Sequence, residues 1–215
     1  MKTSVLVIGL GRFGGAAARE LMALGHEVLA VDHDEAIVNE IAPEVTHAVQ
    51  LDAADEAALR AIGAAEFEHA IVAISGNTEA SIFATMALKK LGVPNVLAKA
   101  GSELHGAILE RVGADRVVFA EREMGQRVAH AFAIRAVVDY LDIAPGFGIV
   151  KATPPGSWVG RTLKDLDLAV RVGLTPIALR RGAGITIDPH HDEVLQAGDL
   201  LVLIGRDDRL EALGG

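Results

Sequence analysis

The stretch Ser4–Asp32, SVLVIGLGRFGGAAARELMALGHEVLAVD, decides the fold of this chain. It starts with an apolar run typical of a buried strand, passes through a glycine-rich turn into a helix, and ends in a second apolar run closed by an aspartate. The glycines at positions 9, 11 and 14 match G-x-G-x-x-G and stand where that motif requires them, after a strand and at the start of a helix. We therefore predict the first βαβ unit of a Rossmann-type nucleotide-binding fold.

The residues of this motif have separate predicted roles. Gly9 permits a tight turn, Gly11 lets a phosphate approach the backbone without a Cβ in the way, and Gly14 lets the helix pack closely on the strand. The first helical turn, which includes Phe13, offers unpaired N–H groups to an anion. Asp32 ends the second strand, where a carboxylate can accept the hydroxyls of a ribose.

Arg12 is the most informative residue of the turn after the glycines. A cation in the first turn of a helix faces the positive end of the helix dipole, which is unfavourable by about 0.3–1 kcal/mol. An anion shared between the helix and the guanidinium would offset this cost. The alternative is that Arg12 simply points into solvent.

Apolar runs alternate with helical segments as far as residue 119, which predicts six strand–helix units and a doubly wound parallel sheet. Ligands bind such sheets outside the carboxyl ends of the strands. The candidate nucleotide-binding residues at these ends are Gly9, Gly11, Arg12, Phe13, Gly14, Asp32, Asp52, Ala53, Gly76, Asn77, Lys99 and Glu121.

Simpler roles remain open for several of these candidates. Gly76 and Asn77 could form a plain turn before a helix, and Lys99 could be an ordinary solvated lysine. Asp52 could belong to a solvated, helix-capping acidic run. Glu121 follows the last strand and is the carboxylate best placed for a cation that accompanies phosphates.

Composition excludes several classes of function. The net charge of −9 argues against a nucleic-acid partner, and no apolar run approaches the roughly 20 residues that span a membrane. The chain has no cysteine, which excludes disulfides and thiolate catalysis, and it starts directly in a strand, so we expect no signal peptide. The histidines show no metal-binding spacing, and no acid–base pair or nucleophile elbow is present, so we predict a protein that is not an enzyme.

The chain after the sixth strand is predicted to form a second, smaller domain. We predict a long helix over residues 123–141, a domain boundary between Val138 and Gly146, and a small, mostly antiparallel α+β module over residues 146–215. The first domain then covers residues 1–140 and includes the long helix.

Several strings in both parts resemble the RCK (regulator of potassium conductance) proteins, and most of all the cytosolic Ktr/Trk potassium-uptake subunits. They are VIGLGRFGG, GHEVLAVD, THAVQLDA, HAIVAI, ALKKLGVPNVLAKA, GADRVVFAEREMG and VLQAGDLLVLIG. The resemblance implies a homodimer that assembles into an octameric ring under a KtrB- or TrkH-like membrane subunit, on the inner face of the membrane. It further implies that ATP favours an active ring and ADP an inactive one, with NAD(H) as a ligand of Trk-type relatives.

The resemblance also implies roles for single residues. The glycine turn and Lys99 would lie near the phosphates, with Arg12 reaching a γ-phosphate in a neighbouring subunit. Asp32 would bind the ribose, while Asp52 and Gly76 would flank the adenosine. By the same resemblance, a carboxylate at the intersubunit contact, here at position 121, would join Mg²⁺, Ca²⁺ or Na⁺, and the long helix would cross onto a partner.

Cyclic di-AMP, which some relatives bind between two C-terminal modules, fits this sequence poorly. Lys164 stands where those relatives have an apolar residue, and Ala169 stands at their arginine position, with Arg171 displaced by two. Two other functions remain alternatives to a transport regulator. One is an NAD(P)-dependent oxidoreductase, which would need a catalytic group that the small module lacks, and the other is a free-standing nucleotide-binding protein.

Overall fold

The computed structural model describes residues 2–134 and 136–214, and the chain divides into two compact units, Met1–Glu121 and Arg122–Gly215. The strands of the first unit are β1 (Ser4–Ile8), β2 (Glu27–Asp32), β3 (His47–Gln50), β4 (His69–Val72), β5 (Asn95–Lys99) and β6 (Arg116–Val118). The helices between them are α1 (Arg12–Ala23), α2 (Glu35–Ile41), α3 (Glu56–Ala61), α4 (Thr78–Lys90) and α5 (Glu103–Arg111).

The sheet of the first unit is parallel, with the order β3-β2-β1-β4-β5-β6. In this doubly wound order, strands are added outward from β1 in one direction up to β3 and in the other direction from β4, so the topological switch point lies between β1 and β4. The fold class that the sequence predicts is therefore confirmed for this unit. The carboxyl ends of β1, β2 and β4 are neighbours in it, and that edge contains the glycine turn.

Strand β1 shows why the central strands read as continuous apolar runs. Leu6 and Ile8 pack into the core on one face of the sheet, while Val5 and Val7 pack into the core on the other face. Alternate side chains of a strand point to opposite faces, so both faces of this sheet are covered. Full burial of one such side chain contributes about 1.5–3 kcal/mol.

Side chains cap the first turns of helices α4 and α5. The side chain of Asn77 accepts a hydrogen bond from the Ala80 N–H at 3.0 Å, and that of Ser102 accepts one from the His105 N–H at 3.2 Å. Such caps satisfy N–H groups that have no partner inside the helix.

The second unit is a small antiparallel sheet with short helices, as the sequence predicts. Its strands are β7 (Val137–Ala144), β8 (Phe147–Ala152), β9 (Leu174–Arg181), β10 (Gly184–Ile187) and β11 (Leu200–Arg206), in the order β10-β9-β11-β8-β7. Its short helices are α7 (Leu163–Leu166), α8 (Leu168–Arg171) and α9 (Asp207–Glu211). A longer helix, α6 (Ala120–Ala133), begins at the end of the first unit and lies mostly in the second.

The predicted helix over residues 123–141 is wrong in its second half. Helix α6 ends at Ala133, and β7 begins four residues later. The turn around Gly146, which has a φ of +80°, returns the chain so that β8 pairs antiparallel with β7. The predicted domain boundary, between Val138 and Gly146, thus falls on a strand whose partner is in the second unit. Within the described part of the chain, no helix is long and apolar enough to cross a membrane.

Candidate nucleotide-binding site

The glycine turn after β1 is a tight backbone junction. Gly9 has a φ of +87°, and a Cβ added to it would lie 2.8 Å from the backbone of Ala73, just after β4. A Cβ on Gly14 would lie 1.8 Å from the carbonyl oxygen of Gly9. Both positions therefore require glycine for the packing of the chain itself.

Gly11 differs from these two glycines because the chain does not need it. A Cβ added there would meet no atom within 4 Å, and its φ of −60° suits any residue. The position lies at the start of α1, where backbone N–H groups lack helical partners. The backbone at Gly11 is therefore open to an approaching group.

Asp32 closes β2 and is almost fully buried, with 6% of its surface exposed. Its Oδ2 accepts a hydrogen bond from the Leu10 N–H at 2.6 Å, inside the glycine turn. Its Oδ1 accepts one from the Asp34 N–H at 3.0 Å and lies 2.9 Å from Nδ1 of His33. The predicted ribose acceptor is therefore bonded to the backbone of the turn, a contact that the sequence alone does not reveal.

Lys99 and Glu121 form an ion pair at the ends of β5 and β6. The Lys99 Nζ lies 2.6 Å from Oε1 of Glu121, and the two side chains are 7% and 68% exposed. The Lys99 ammonium also lies 6.0 Å from the centre of the Phe13 ring, at the outer limit of a cation–π contact. This places Phe13, Lys99 and Glu121 together beside the glycine turn.

The charge of Arg12 acts on the same group. The hydrogen bond from Lys99 lowers the pKa of Glu121 most, and the positive charges of Lys99 and Arg12 lower it further. Arg12 is exposed and makes no hydrogen bond or ion pair with the residues that the structure describes. The positive charges of Lys99 and Arg12 thus both act on the Glu121 carboxylate.

The remaining candidates lie farther along the same edge of the sheet. Asp52 is exposed and its Oδ1 accepts from the Ala54 N–H at 3.0 Å, while Ala53 is buried in the core. Gly76 has a φ of +83° in an exposed turn, and Asn77 uses its Oδ1 as the cap of α4. These contacts are local, so a part for any of them in ligand binding stays a prediction.

His105 makes a second supporting contact that the sequence alone does not reveal. This side chain is 6% exposed, and its Nδ1 accepts from the Gly101 N–H at 3.3 Å. It therefore anchors the connection that follows Lys99 at the end of β5. In the sequence, this contact is signalled only by the position of His105, three residues after Ser102, which caps the same helix.

A metal site is not assembled by this chain within the residues described. No group of three or more histidine, aspartate or glutamate side chains there could hold an ion. Glu121 supplies one carboxylate, whose nearest described partner is the Lys99 ammonium.

The parallel sheet with its glycine turn defines the class as a Rossmann-type domain, followed along the chain by a small antiparallel module. Residues 5–120 match the TrkA-N domain, and residues 148–214 match the TrkA-C domain. The chain therefore belongs to the RCK family of Ktr- and Trk-type potassium-uptake proteins, which confirms the resemblance seen in the sequence.

Individual relatives agree with this assignment. The chain is 40% identical over 205 residues to Ktr system potassium uptake protein C of Bacillus subtilis (strain 168), covering 95% of this chain and 93% of that protein. It is 38% identical over 199 residues to Ktr system potassium uptake protein A of the same organism, covering 93% and 90%. A solved structure of the GsuK channel bound to NAD matches 100% of this chain at a TM-score of 0.67 and 21% identity, which shows the fold. This chain spans 40% of that channel.

Proposed function

We propose that this protein is the nucleotide-sensing regulatory subunit of a membrane potassium transporter and has no catalytic activity of its own. The similarity to two Ktr system potassium uptake proteins, over nine-tenths or more of each chain, supports the link to potassium. ATP and ADP are the proposed ligands of the glycine turn, and NAD(H) is the alternative. The NAD bound to the GsuK channel supports keeping that alternative.

The observation that carries the proposal is the set of charges around the glycine turn. Arg12 occupies the first position of α1, where the helix dipole disfavours a cation, and it has no partner among the described residues. Beside it, the Cβ position of Gly11 is open. A phosphate would fill this space, pair with Arg12 and accept hydrogen bonds from the free N–H groups at the start of the helix.

A γ-phosphate gives such a site a way to act as a switch. A ligand shifts a conformational equilibrium only by its differential affinity for the two states. ATP offers Arg12 a phosphate that ADP lacks, either in the same copy or in a neighbouring one. The Lys99–Glu121 pair lies close enough to Arg12 to respond to a bound γ-phosphate, because the charge of Arg12 already lowers the pKa of Glu121.

A cation at Glu121 belongs to the same proposal. Mg²⁺, Ca²⁺ and Na⁺ take oxygen ligands, and a single exposed carboxylate supplies too few of them. Phosphate oxygens of a bound nucleotide, together with groups of a second copy, would complete the set. The cation would then bind only when a nucleotide is present.

Assembly into a homodimer, and from dimers into an octameric ring, is also proposed. Helix α6 carries Met124, Val128 and Phe132 four residues apart, so they share one face of the helix. Their exposed fractions are 53%, 58% and 91%. An apolar stripe of this kind on a surface is typical of a protein interface.

Nucleotide titration of the full chain tests the proposed switch. ATP, ADP, NAD and NADH are titrated with Mg²⁺ present into the wild type, Arg12→Ala and Arg19→Ala. Arg19 is the matched control because it lies on the same helix but pairs with Glu44, away from the glycine turn. We expect Arg12→Ala to weaken ATP binding about tenfold, while ADP binding changes less, and Arg19→Ala to bind as the wild type does.

Two results would contradict the proposal in different ways. If ATP and ADP bind equally in all three proteins and NADH binds more tightly, the proposed γ-phosphate switch is wrong. NAD(H) would then be the ligand, and the protein would sense redox state. If no nucleotide binds to the wild type, the glycine turn is not a nucleotide site.

Co-purification tests the proposed partner and location. The transporter subunit would be an integral membrane protein of the KtrB or TrkH kind, with this chain held at the inner face of the membrane. A tagged copy expressed in its own cell should retain that subunit in mild detergent, and ATP and ADP should alter the complex differently. Recovery of the chain alone, in every nucleotide state, would favour a free-standing nucleotide-binding protein.

A further inference from the structure

The hydrogen bonds of Asp32 suggest more than a contact to a ribose. The carboxylate is nearly inaccessible to water, and Oδ2 accepts from the Leu10 N–H at 2.6 Å. Leu10 lies between the first two glycines of the motif, so this bond crosses from the end of β2 to the glycine turn after β1. A hydrogen bond from an N–H group to a carboxylate is charge-assisted and is stronger than one between neutral groups.

The same carboxylate is fixed from its other oxygen. Oδ1 accepts from the Asp34 N–H at 3.0 Å and lies 2.9 Å from the ring nitrogen of His33. A carboxylate has about four acceptor positions, two on each oxygen. Two of them accept backbone N–H groups, one on each oxygen, so a ligand hydroxyl that binds Oδ2 shares that oxygen with the Leu10 N–H.

We propose that Asp32 is a positioning residue for the glycine turn as well as a ribose acceptor, and this rests on the proposed nucleotide site. Its buried carboxylate holds the Leu10 amide and thereby sets the path of the backbone that faces the phosphates. A ribose hydroxyl that binds Oδ2 shares this oxygen with the turn. Occupation of the ribose position and the geometry of the phosphate position are therefore coupled through one atom.

A ligand without a ribose separates the two roles. Tripolyphosphate and ATP are titrated into the wild type, Asp32→Asn and Asp34→Asn. Asparagine has the shape of aspartate, but its amide group would face either the Leu10 or the Asp34 N–H with a donor. Asp34 is the matched control, because its side chain is exposed and, among the residues described, accepts only from the Ala36 N–H at the start of α2.

We expect Asp32→Asn to weaken tripolyphosphate about tenfold, because the turn loses its anchor, and to weaken ATP by more. Asp34→Asn should leave both affinities unchanged. If Asp32→Asn weakens ATP but binds tripolyphosphate as the wild type does, Asp32 contacts only the ribose and the positioning role is overturned.

Amide hydrogen exchange gives a second measurement that needs no ligand. In the ligand-free wild type, the Leu10 amide should exchange at least about tenfold more slowly than the Arg12 amide, because Leu10 donates to a buried carboxylate. This comparison remains valid if Asp32→Asn fails to fold, and equal exchange at the two positions would overturn the proposal. A protected Leu10 amide in a protein that binds no nucleotide would instead overturn the proposed function and leave the positioning role intact.

Discussion

Two groups of charged side chains, one in each unit of the molecule, are used in opposite ways. In the second unit, Arg181 donates to both oxygens of Asp199, to Glu193 and to a backbone carbonyl, and the Asp199 side chain is 1% exposed. In the first unit, Arg12 has no partner among the described residues, and Lys99 pairs with the largely exposed Glu121.

This difference separates side chains that hold the fold from side chains that are available to a ligand. A buried polar group whose partners are all present stabilises the structure, and removing one partner leaves the other unsatisfied. A charge without a partner costs the fold little when it is removed, so its substitution should change binding and leave stability intact. The following predictions test how far this distinction extends, beginning with the largest expected effect.

Gly14→Ala tests whether the first unit tolerates a substitution at a position where two backbone segments are closely packed. The added Cβ would lie 1.8 Å from the Gly9 carbonyl oxygen, so helix and turn must move apart. We expect a loss of about 3 kcal/mol or more in the free energy of unfolding, measured by denaturant titration of the full chain. Gly11→Ala is the control, because its Cβ would meet no atom, and it should unfold as the wild type does.

The same pair of variants also distinguishes packing from binding. Gly11→Ala should weaken nucleotide binding without loss of stability, since its methyl group would fill the space proposed for a phosphate. Equal stability of Gly14→Ala and Gly11→Ala would show that the motif glycines serve only the ligand.

The motif glycines also show how much of this molecule its sequence predicts. The first unit was predictable because its signals are local: a glycine turn after an apolar run, capping residues such as Asn77 and Ser102, and apolar strands at regular intervals. The Asp32–Leu10 and Lys99–Glu121 contacts were not, since each joins residues 22 positions apart whose distance depends on neighbouring strands. Parallel neighbours bring such residues together, but which atoms meet is decided by side-chain packing.

The error at β7 has a similar physical origin. The run VVDYLDIA has apolar residues at spacings that suit one face of a helix, and it continues a true helix, α6. Its strand conformation depends on pairing with β8, beyond the turn at Gly146. Two β-branched valines at its start, followed by Pro-Gly before the next apolar run, were the local signals that favoured a hairpin.

Asp199→Ala tests the second half of the comparison, the satisfied charges of the second unit. Arg181 would lose its bidentate partner, and the Gln196 N–H would lose the carboxylate that accepts it at 2.8 Å. Leaving this amide without an acceptor costs about 1–3 kcal/mol. The only tryptophan, Trp158, packs against the core of this unit, so its fluorescence reports the unfolding directly.

Asp192→Ala is the matched control for this variant. Asp192 lies in the same connection between β10 and β11, but its side chain is 72% exposed. Its carboxylate forms a long ion pair, 3.5 Å from Nδ1 of His190. Exposed pairs of this kind contribute little, so the Trp158 transition should not move. The comparison between the units fails if Asp199→Ala unfolds like the wild type, or if both variants lose the same stability.

His105 tests the comparison further, because it is a titratable side chain of the first unit that stabilises the fold. Burial lowers the pKa of His105 below the ordinary value of 6.5, and its neutral ring accepts the Gly101 N–H. As the pH falls below about 6.5, the unfolded chain takes up a proton that the folded chain resists, so stability is complete above that pH and is lost below it. One such group changes the free energy of unfolding by at most about 1.4 kcal/mol per pH unit.

His105→Asn isolates this contribution, since the asparagine oxygen can still accept the Gly101 N–H but does not titrate. We expect the free energy of unfolding of the wild type to fall more steeply than that of His105→Asn between pH 7.5 and pH 5, two values that bracket the ordinary histidine pKa. Parallel curves for wild type and His105→Asn would mean that His105 titrates like an exposed histidine. Burial of His105 would then contribute nothing to the pH dependence of the free energy of unfolding.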